Sequence, residues 1–312
     1  AKYVDRIGYR RSVVASEILS AVGLIGLAFL PDLLNHAYVG ILISVIIYAM
    51  GSGLIEVLVS PIVEACPFDN KESVMSLLHS FYCWGAVAVI LFSTAFFTIF
   101  GINNWWILAC IWALIPICNV FNFLTCPIES LTEDGQGLSI RQLCNIPIFW
   151  VALVLMVCAG ASEISMAQWA SAYTESALGL SKSIGDIAGP SLFAVTMGIS
   201  RSFYGKYGEK IDLMKFMTSS GILCLICYLL AALGPYPILG LIGCIMCGFS
   251  VGIMWPGTIS IASSKIPMGG TAMFALLAMA GDMGGSIGPC VVGFVTQNAV
   301  SYTHLTLPTI CS

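Results

Sequence analysis

The sequence contains very little charge. Only 9% of its 312 residues are Asp, Glu, Lys or Arg, and three are His, whereas a typical soluble domain is about 25% charged. So few charges cannot cover a surface that faces water, so the surface is expected to face lipid. The net charge of −4 provides no basic surface, which excludes nucleic acid as a partner.

The sequence also lacks clusters that would support chemistry. The apolar segments contain a single His, and no nucleophile has a base beside it, which argues against a membrane-embedded enzyme. Four of the thirteen cysteines have the spacing of a zinc ribbon, but they lie in apolar runs without polar support for a metal. We expect them to serve as small packing residues, and we expect no metal and no cofactor. These four are Cys224, Cys227, Cys244 and Cys247.

Long apolar runs are abundant, and 58% of the residues are hydrophobic. A helix of about 20 apolar residues can cross the hydrocarbon core of a bilayer. The sequence therefore predicts an all-α, polytopic (multi-pass) membrane protein with about nine transmembrane helices. The predicted spans are 12–31, 38–65, 74–100, 104–125, 147–170, 184–200, 212–233, 237–263 and 271–298.

The basic residues predict the orientation of these spans. Eleven of the twelve Lys and Arg residues fall in loops on one side, and the other side has only Lys182. By the positive-inside rule, residue 1 and the linker 127–146 are cytoplasmic, and the protein lies in the plasma (inner) membrane.

Two parts of the sequence resemble each other at an offset of 200 residues. Asp5 to Arg11 aligns with Gly205 to Lys210, and each is followed later by a Gly-rich helix with one internal Pro, 51–65 and 248–262. Two parallel halves are a transporter architecture. The predicted domains are a partial first half of four spans (1–126), the linker (127–146) and a partial second half of five spans (147–299).

The opening A-K-Y-V-D-R-I-G-Y-R-R resembles the loop between the second and third helices of the major facilitator superfamily, roughly G-x-x-x-D-R-x-G-R-R. The resemblance implies that this chain holds helices three to eleven of twelve, an incomplete copy of that fold. It also implies that the loop is a conformational latch, a role that is compatible with setting the orientation. The residues of this loop motif are Asp5, Arg6, Gly8, Arg10 and Arg11.

The end of the chain resembles no transmembrane helix. Val300 to Thr309 reads V-S-Y-T-H-L-T-L-P-T, which looks like a translated transposon-end sequencing adapter. We expect residues 300–312 to be a non-native tail, so His304 is not a functional candidate.

Carboxyl groups inside spans are functional hypotheses by default, because ionised groups are costly in hydrocarbon. The spans contain Glu17, Glu56, Glu163 and Asp282, and no Lys or Arg is expected deep in any span. An acid that gains and loses a proton as a cavity alternates its access meets the requirement of proton coupling. Glu17 lies close to the basic loop and is instead expected to pair with Arg10 or Arg11.

Glu56 is the strongest candidate for proton coupling. Its segment G-S-G-L-I-E-V-L-V-S-P and the later M-S-L-L-H-S-F-Y-C-W-G-A resemble the fucose–galactose–glucose:proton symporter branch of the superfamily. By that resemblance, Glu56 is the membrane-embedded acid. His79 stands where members of the branch carry Gln, a departure that leaves the exact sugar open.

Further candidates line the second half. A flat apolar ring beside amide and carboxyl groups suits a sugar, although Trp169 is equally well placed to be an interfacial anchor. Asp282 is favoured as a cavity residue over a cap of a helix kink, and the G-x-x-x-G pairs around it predict tight helix packing. Trp255 lies in G-I-M-W-P-G-T, which resembles the branch's S-I-M-F-P-T. The candidates on the 147–170 span and just beyond it are Glu163, Gln168, Trp169 and Tyr173.

The leading functional hypothesis is a secondary active transporter that moves a small polar solute, a monosaccharide, by proton symport through alternating access. A proton-coupled drug or metabolite antiporter is the alternative within the superfamily, and a membrane-embedded enzyme is a weaker one. The expected partners are the solute, protons and the lipid bilayer, and the protein is expected to be monomeric.

Overall fold

The computed structural model describes residues 4, 7–128, 137–179, 181, 184–185 and 187–300, without the side chains of 176–177 and 297–300. Every regular element in these residues is helical, which confirms the predicted all-α class. Eight helices in the described part are long and apolar enough to cross a membrane. Helices prevail because a chain in lipid must satisfy its backbone hydrogen bonds internally.

The helices are numbered here in chain order. A 3-10 turn (Ile102–Asn104) precedes α4, a π-helical turn (Ile187–Ser191) precedes α7, and a second 3-10 turn (Gly208–Lys210) follows α7. The α-helices are α1 (Tyr9–Leu33), α2 (Ala37–Ala65), α3 (Lys71–Phe100), α4 (Trp105–Thr125), α5 (Ile140–Cys144), α6 (Pro147–Leu178), α7 (Leu192–Tyr207), α8 (Leu213–Leu233), α9 (Pro237–Val251), α10 (Met254–Lys265) and α11 (Gly270–Val300).

The local sequence explains several helix ends. Pro147 begins α6, where a missing N–H costs nothing, and Gly179 ends it with φ of 64°, a left-handed conformation that favours glycine. The Asp212 side chain caps α8 by accepting a hydrogen bond from the Lys215 N–H at 2.8 Å.

The predicted span 184–200 is wrong in its extent. The α-helix there has 16 residues and runs on to Tyr207, after a π-helical turn that contains Pro190. The predicted span therefore ends seven residues too early, and Arg201 lies inside a helix. The prediction failed because hydropathy drops at Arg201, whereas helix geometry continues.

The chain divides into two compact units. The first comprises Ala1–Pro67, Phe92–Leu143 and Met268–Ala275. In it, α1 and α2 pack closely along glycines: a Cβ at Gly23 would meet the Tyr48 backbone, and Ser16 Oγ donates to the Gly51 carbonyl oxygen at 2.9 Å. Tyr9 and Thr271 share a hydroxyl hydrogen bond of 2.5 Å.

The second unit comprises Phe68–Leu91, Cys144–Pro267 and Leu276–Ser312. Helix α9 packs between α7, α8 and α6, and α10 packs on α6. All four cysteines with ribbon spacing lie in one buried cluster of this unit, together with Cys83, Phe193 and Met197. Both units combine parts of the two predicted halves, so the division at the linker 127–146 stays a prediction about the repeat.

Glycines bring α6 and α11 into close contact within the second unit. A Cβ at Gly284 would overlap the Val157 carbonyl oxygen, and one at Gly160 would overlap the Gly281 carbonyl oxygen. A Cβ at Gly288 would lie 2.7 Å from Ser165 Oγ. These contacts confirm that the G-x-x-x-G pairs serve tight helix packing.

Candidate coupling and substrate-binding residues

Glu56 lies half-buried in the second half of α2, which stays helical through Pro61. The two glycines before it differ in their surroundings. Gly51 lies against α1, where a Cβ would come 2.5 Å from Ser20 Oγ, whereas a Cβ at Gly53 would meet nothing within 4 Å. Only the first glycine therefore serves helix packing, and the second leaves space one turn before the Glu56 carboxyl.

Glu163 is buried in α6 and has a cationic partner, contrary to the prediction that no Arg or Lys lies deep in a span. Arg201 Nη2 donates to Glu163 Oε2 at 3.0 Å. The side chains are only 2% (Arg201) and 8% (Glu163) exposed. The pair is therefore almost completely buried. In such a site the Coulomb attraction between the two charges is strong, and removing them from water is costly.

Arg201 was missed as a functional residue because it was assigned to a loop. A signal was nevertheless present: Ala194, Met197 and Tyr204 are buried at helical spacing, and Arg201 falls on the same face of α7. An Arg at helical spacing from apolar residues indicates a buried position on the same helix face, even where the mean hydropathy falls.

His79 is brought next to this pair. It lies on α3, and its carbonyl oxygen accepts a hydrogen bond from Arg201 Nη1 at 3.0 Å. The side chain of His79 is half-buried. The structure thus places two predicted site residues, Glu163 and His79, around a third that the sequence had not indicated.

The other candidates on α6 differ in their exposure. Tyr173 packs on α9, where its hydroxyl donates to the Pro237 carbonyl oxygen at 3.2 Å. Gln168 is exposed. Trp169 is 37% exposed and lies against Gly293 of α11. This leaves Gln168 and Trp169 with accessible side chains.

Trp255 and Asp282 both adjoin Gly281 of α11, Trp255 in space and Asp282 in sequence. The Trp255 ring, at the start of α10, lies against Gly281 of α11. Asp282 follows Gly281 directly and has an exposed side chain.

The described part of the loop motif caps helices. Gly8 precedes α1 with φ of 92°, which favours glycine. Arg10 donates to the carbonyl oxygens of Leu124 and Cys126, both at 2.9 Å, at the end of α4, where cations are favourable. Arg11 is exposed. Asp5 and Arg6 lie outside the described residues.

Glu17 does not pair with Arg10 or Arg11, so that prediction is wrong. Its side chain is buried in α1, and its Oε1 accepts a long hydrogen bond of 3.4 Å from Asn119 Nδ2 on α4. Sequence proximity favoured the arginines, but Arg10 is directed to the end of α4 instead.

Among the described residues, no three His, Cys, Asp or Glu side chains are arranged to hold a metal ion. The ribbon-spaced cysteines are close to one another but buried among apolar side chains.

The family model described as Major Facilitator Superfamily matches residues 1–289 of the sequence. This chain belongs to the Major Facilitator Superfamily. Membership in the Major Facilitator Superfamily makes the chain a multi-pass membrane transporter and agrees with the eight long apolar helices. No curated protein sequence matches the chain significantly.

Solved structures of other transporters have a similar fold. The E. coli fucose:proton symporter FucP is similar over 99% of this chain and 81% of its own, with a TM-score of 0.79 and 16% identity. FucP in the outward conformation has a TM-score of 0.78 and 16% identity, over 98% of this chain and 80% of its own. A bacterial homologue of the iron transporter ferroportin, in an outward-facing state, has a TM-score of 0.69 and 13% identity, over 95% of this chain and 78% of its own. Identities this low establish the fold and leave the solute open.

Proposed function

We propose that this transporter moves a monosaccharide together with a proton, by symport through alternating access. The observation that carries the proposal is the position of Glu56. It is a half-buried carboxyl inside a membrane-spanning helix, within a segment that resembles the motif of the fucose–galactose–glucose:proton symporter branch. Acids inside a membrane span are costly and are retained for function.

In this proposal, Glu56 carries the coupling proton. At Gly53 a Cβ would meet no atom within 4 Å, and this open space is proposed to admit water or solute to the same stretch of α2. A carboxyl beside such a space can be protonated from one side of the membrane and deprotonated to the other. The similar fold of the fucose:proton symporter supports this reading.

The sugar is proposed to contact the second half of the chain. Trp169 offers an exposed aromatic ring, with the Gln168 amide next to it in sequence. Trp255 and Asp282 offer a second ring and a carboxyl around Gly281. Rings stack on the C–H faces of a sugar while amide and carboxyl groups bind its hydroxyls. His79, in the position of a Gln in the symporter branch, is proposed to adjust which sugar is accepted.

The proposed setting follows from the charge asymmetry. The excess of Lys and Arg supports a cytoplasmic position for residue 1 and the linker 127–146. The protein is further proposed to act as a monomer in the inner (plasma) membrane. The halves 1–126 and 147–299 move relative to each other during transport, and the loop motif around Gly8 and Arg10 acts as a conformational latch.

The test is sugar-triggered proton uptake by cells that express the intact protein carrying this sequence. Fucose, galactose or glucose is added to lightly buffered cells while the external pH is recorded. We expect alkalinisation with at least one sugar and none in the Glu56→Gln variant. Absence of any pH response, despite normal expression in the membrane, would contradict the sugar-symporter assignment and return attention to drugs and other metabolites.

Glu64→Gln is the matched control, since Glu64 lies two turns further along the same helix and is also half-buried. We expect this variant to keep the pH response. If both variants lost it equally, the coupling role of Glu56 would not be specific.

A further inference from the structure

Arg201 joins three other parts of the second unit through its guanidinium group. Besides Glu163 on α6, it reaches the Gly252 carbonyl oxygen with Nε at 2.7 Å and the His79 carbonyl oxygen with Nη1 at 3.0 Å. Nη1 also lies 3.3 Å from Cys83 Sγ. The residue is 2% exposed, so this charge is held inside the protein.

The protein occupies most of the donors of the guanidinium. Arg has five N–H donors, and four hydrogen bonds already connect them to Gly252, His79, Cys83 and Glu163. Little capacity is left for an anionic solute. The arrangement therefore holds helices together and does not resemble an open anion-binding site.

Two of the acceptors lie on segments other than α6 and α7. Gly252 occupies the break between α9 and α10, where regular helix stops at Val251 and resumes at Met254. His79 belongs to α3, which contributes only its first part to this unit. Ser76 of the same helix donates to the Arg201 carbonyl oxygen at 2.8 Å. One side chain thus fastens α3, α6 and the α9–α10 break to α7.

Only one of the four acceptors carries the negative charge that balances Arg201. The two carbonyl oxygens are neutral, and the Cys83 sulfur is a weak acceptor. If Glu163 takes up a proton, the guanidinium remains buried with no anionic partner, and a buried unpaired charge is strongly unfavourable. The closed cluster is then expected to open.

We propose that Glu163 is a second proton-binding site of the transporter and that Arg201 is its positioning residue. Proton binding at Glu163 Oε2 breaks the bond from Arg201 Nη2. The guanidinium, left without an anionic partner, then leaves the carbonyl oxygens of His79 and Gly252, which frees α3 and the α9–α10 break from α7. The proton comes from water and returns to water, so no other reactant is required. This inference rests on the proposed function, because a proton-coupled cycle must link a conformational step to protonation.

The proposal predicts the direction of the pH effect. The closed cluster binds Glu163 as a carboxylate, whereas an open cluster can bind the proton, so lower pH favours opening. The other titratable groups at the cluster come from α3: His79, Tyr82, whose ring centroid is 5.8 Å from the Arg201 guanidinium carbon, and Cys83.

Groups on the remaining neighbouring helices lie further out. Tyr228 of α8 donates to the Ser162 carbonyl oxygen at 2.8 Å. On α11, which packs on α6, Asp282 is exposed. The titratable side chains of α9 and α10 are Cys244, Cys247 and Lys265; the two cysteines lie in the buried cluster and Lys265 at the end of α10. Among these groups, Glu163 is the carboxylate bonded to Arg201.

Cys83 provides a natural reporter of opening, because it is fully buried beside Arg201. The intact protein in membranes is treated with N-ethylmaleimide, and labelling of Cys83 is quantified by mass spectrometry relative to the exposed Cys126. The measured quantity is the ratio of this labelling in Glu163→Gln to that in the unmodified protein at the same pH. Comparison at equal pH cancels the ordinary pH dependence of thiol reactivity.

We expect the ratio to be about tenfold at pH 7.5, since loss of a buried partner costs well over the free energy of a tenfold change. The ratio should decrease toward one as the pH is lowered, because the unmodified protein then opens as well. A ratio of one at pH 7.5 would overturn the proposal. An elevated ratio that is the same at every pH would also overturn it, because it would indicate a purely structural role for Glu163.

Two further variants make the test decisive. Ser76→Ala removes an uncharged link between the same helices, α3 and α7, so its ratio should stay below about threefold and not change with pH, since one neutral hydrogen bond contributes only about 1 kcal/mol. Glu163→Asp keeps an ionisable group and serves if Glu163→Gln does not fold. Its labelling ratio to the unmodified protein should still decrease as the pH is lowered. A constant ratio for it would overturn the proposal. No sugar is needed, so this test and the sugar test fail independently.

Discussion

The ring of Trp255 lies directly against Gly281, so that a Cβ at residue 281 would overlap the six-membered part of the indole. The Gly281 carbonyl oxygen also lies so close to Gly160 that a Cβ there would overlap it. Three helices, α6, α10 and α11, therefore meet at one glycine. The missing side chain permits this contact, which sets the position of the Trp255 ring against α11.

Gly281→Ala is expected to destabilise the protein by about 1–3 kcal/mol, the usual cost of overpacking a core. Thermal unfolding of the intact protein in detergent measures the effect. Gly221→Ala is the control, because Gly221 lies in α8 with no atom within 4 Å of a Cβ. Ala is the better helix former by about 1 kcal/mol, so the control should be neutral or slightly stabilising. Equal melting temperatures for the two variants would contradict the packing argument.

Arg201→Met is expected to lower stability by about 3–5 kcal/mol, since it leaves Glu163 buried without its partner. Adding Glu163→Gln to the same molecule should recover part of this loss, because no unpaired charge remains. Denaturation of the two single variants and the double variant gives the coupling energy directly. Arg11→Met is the control, as Arg11 is exposed. Additive effects of the two substitutions would show that the pair is not coupled.

Asn119→Ala removes the amide that donates to the buried Glu17 carboxyl. The loss of a partner from a buried polar group costs about 1–3 kcal/mol. Asn122→Ala, on the same helix with an exposed side chain, should have little effect on the melting temperature. If Asn119→Ala were as stable as Asn122→Ala, the 3.4 Å hydrogen bond would contribute nothing measurable.

Trp169→Ala distinguishes the two roles left open for this residue. If the ring stacks on the sugar, KM should rise about tenfold with kcat unchanged, because an aromatic stacking contact is worth roughly 0.5–1.5 kcal/mol beyond its buried area. Trp169→Phe should retain most of the affinity. Trp106, also exposed, is the control, and Trp106→Ala should leave KM unchanged. Reduced membrane levels for Trp169→Ala at normal KM would favour the anchor role.

Most of the fold was predictable because hydropathy reports it directly. The four spans before the linker, and the α8 and α11 spans, were located to within a few residues, since each is a long apolar run. The span 184–200 was misplaced because its helix continues through Arg201 to Tyr207. The charge of Arg201 lowers the mean hydropathy, so the predicted span ends there, although the backbone hydrogen bonds of the helix continue to Tyr207.

The candidate site was predictable only where a residue type is informative by itself. Glu56, Glu163 and Asp282 stand out as carboxyls in apolar helices. The partners of these carboxyls do not stand out in the sequence, because a partner depends on which faces of two helices pack against each other. Sequence proximity assigned Glu17 to the arginines of α1, whereas the structure places it against Asn119 of α4.

The sequence by itself determined that this protein lies in a membrane, that its regular structure is helical, and that glycines bring its helices together. These properties follow from composition and spacing, which act locally along the chain. Tertiary structure alone decided that Arg201 is buried and bonded to Glu163, His79 and Gly252. Such a charge is stable inside the protein only when acceptors from several distant segments converge on it, and only the packed fold produces that convergence.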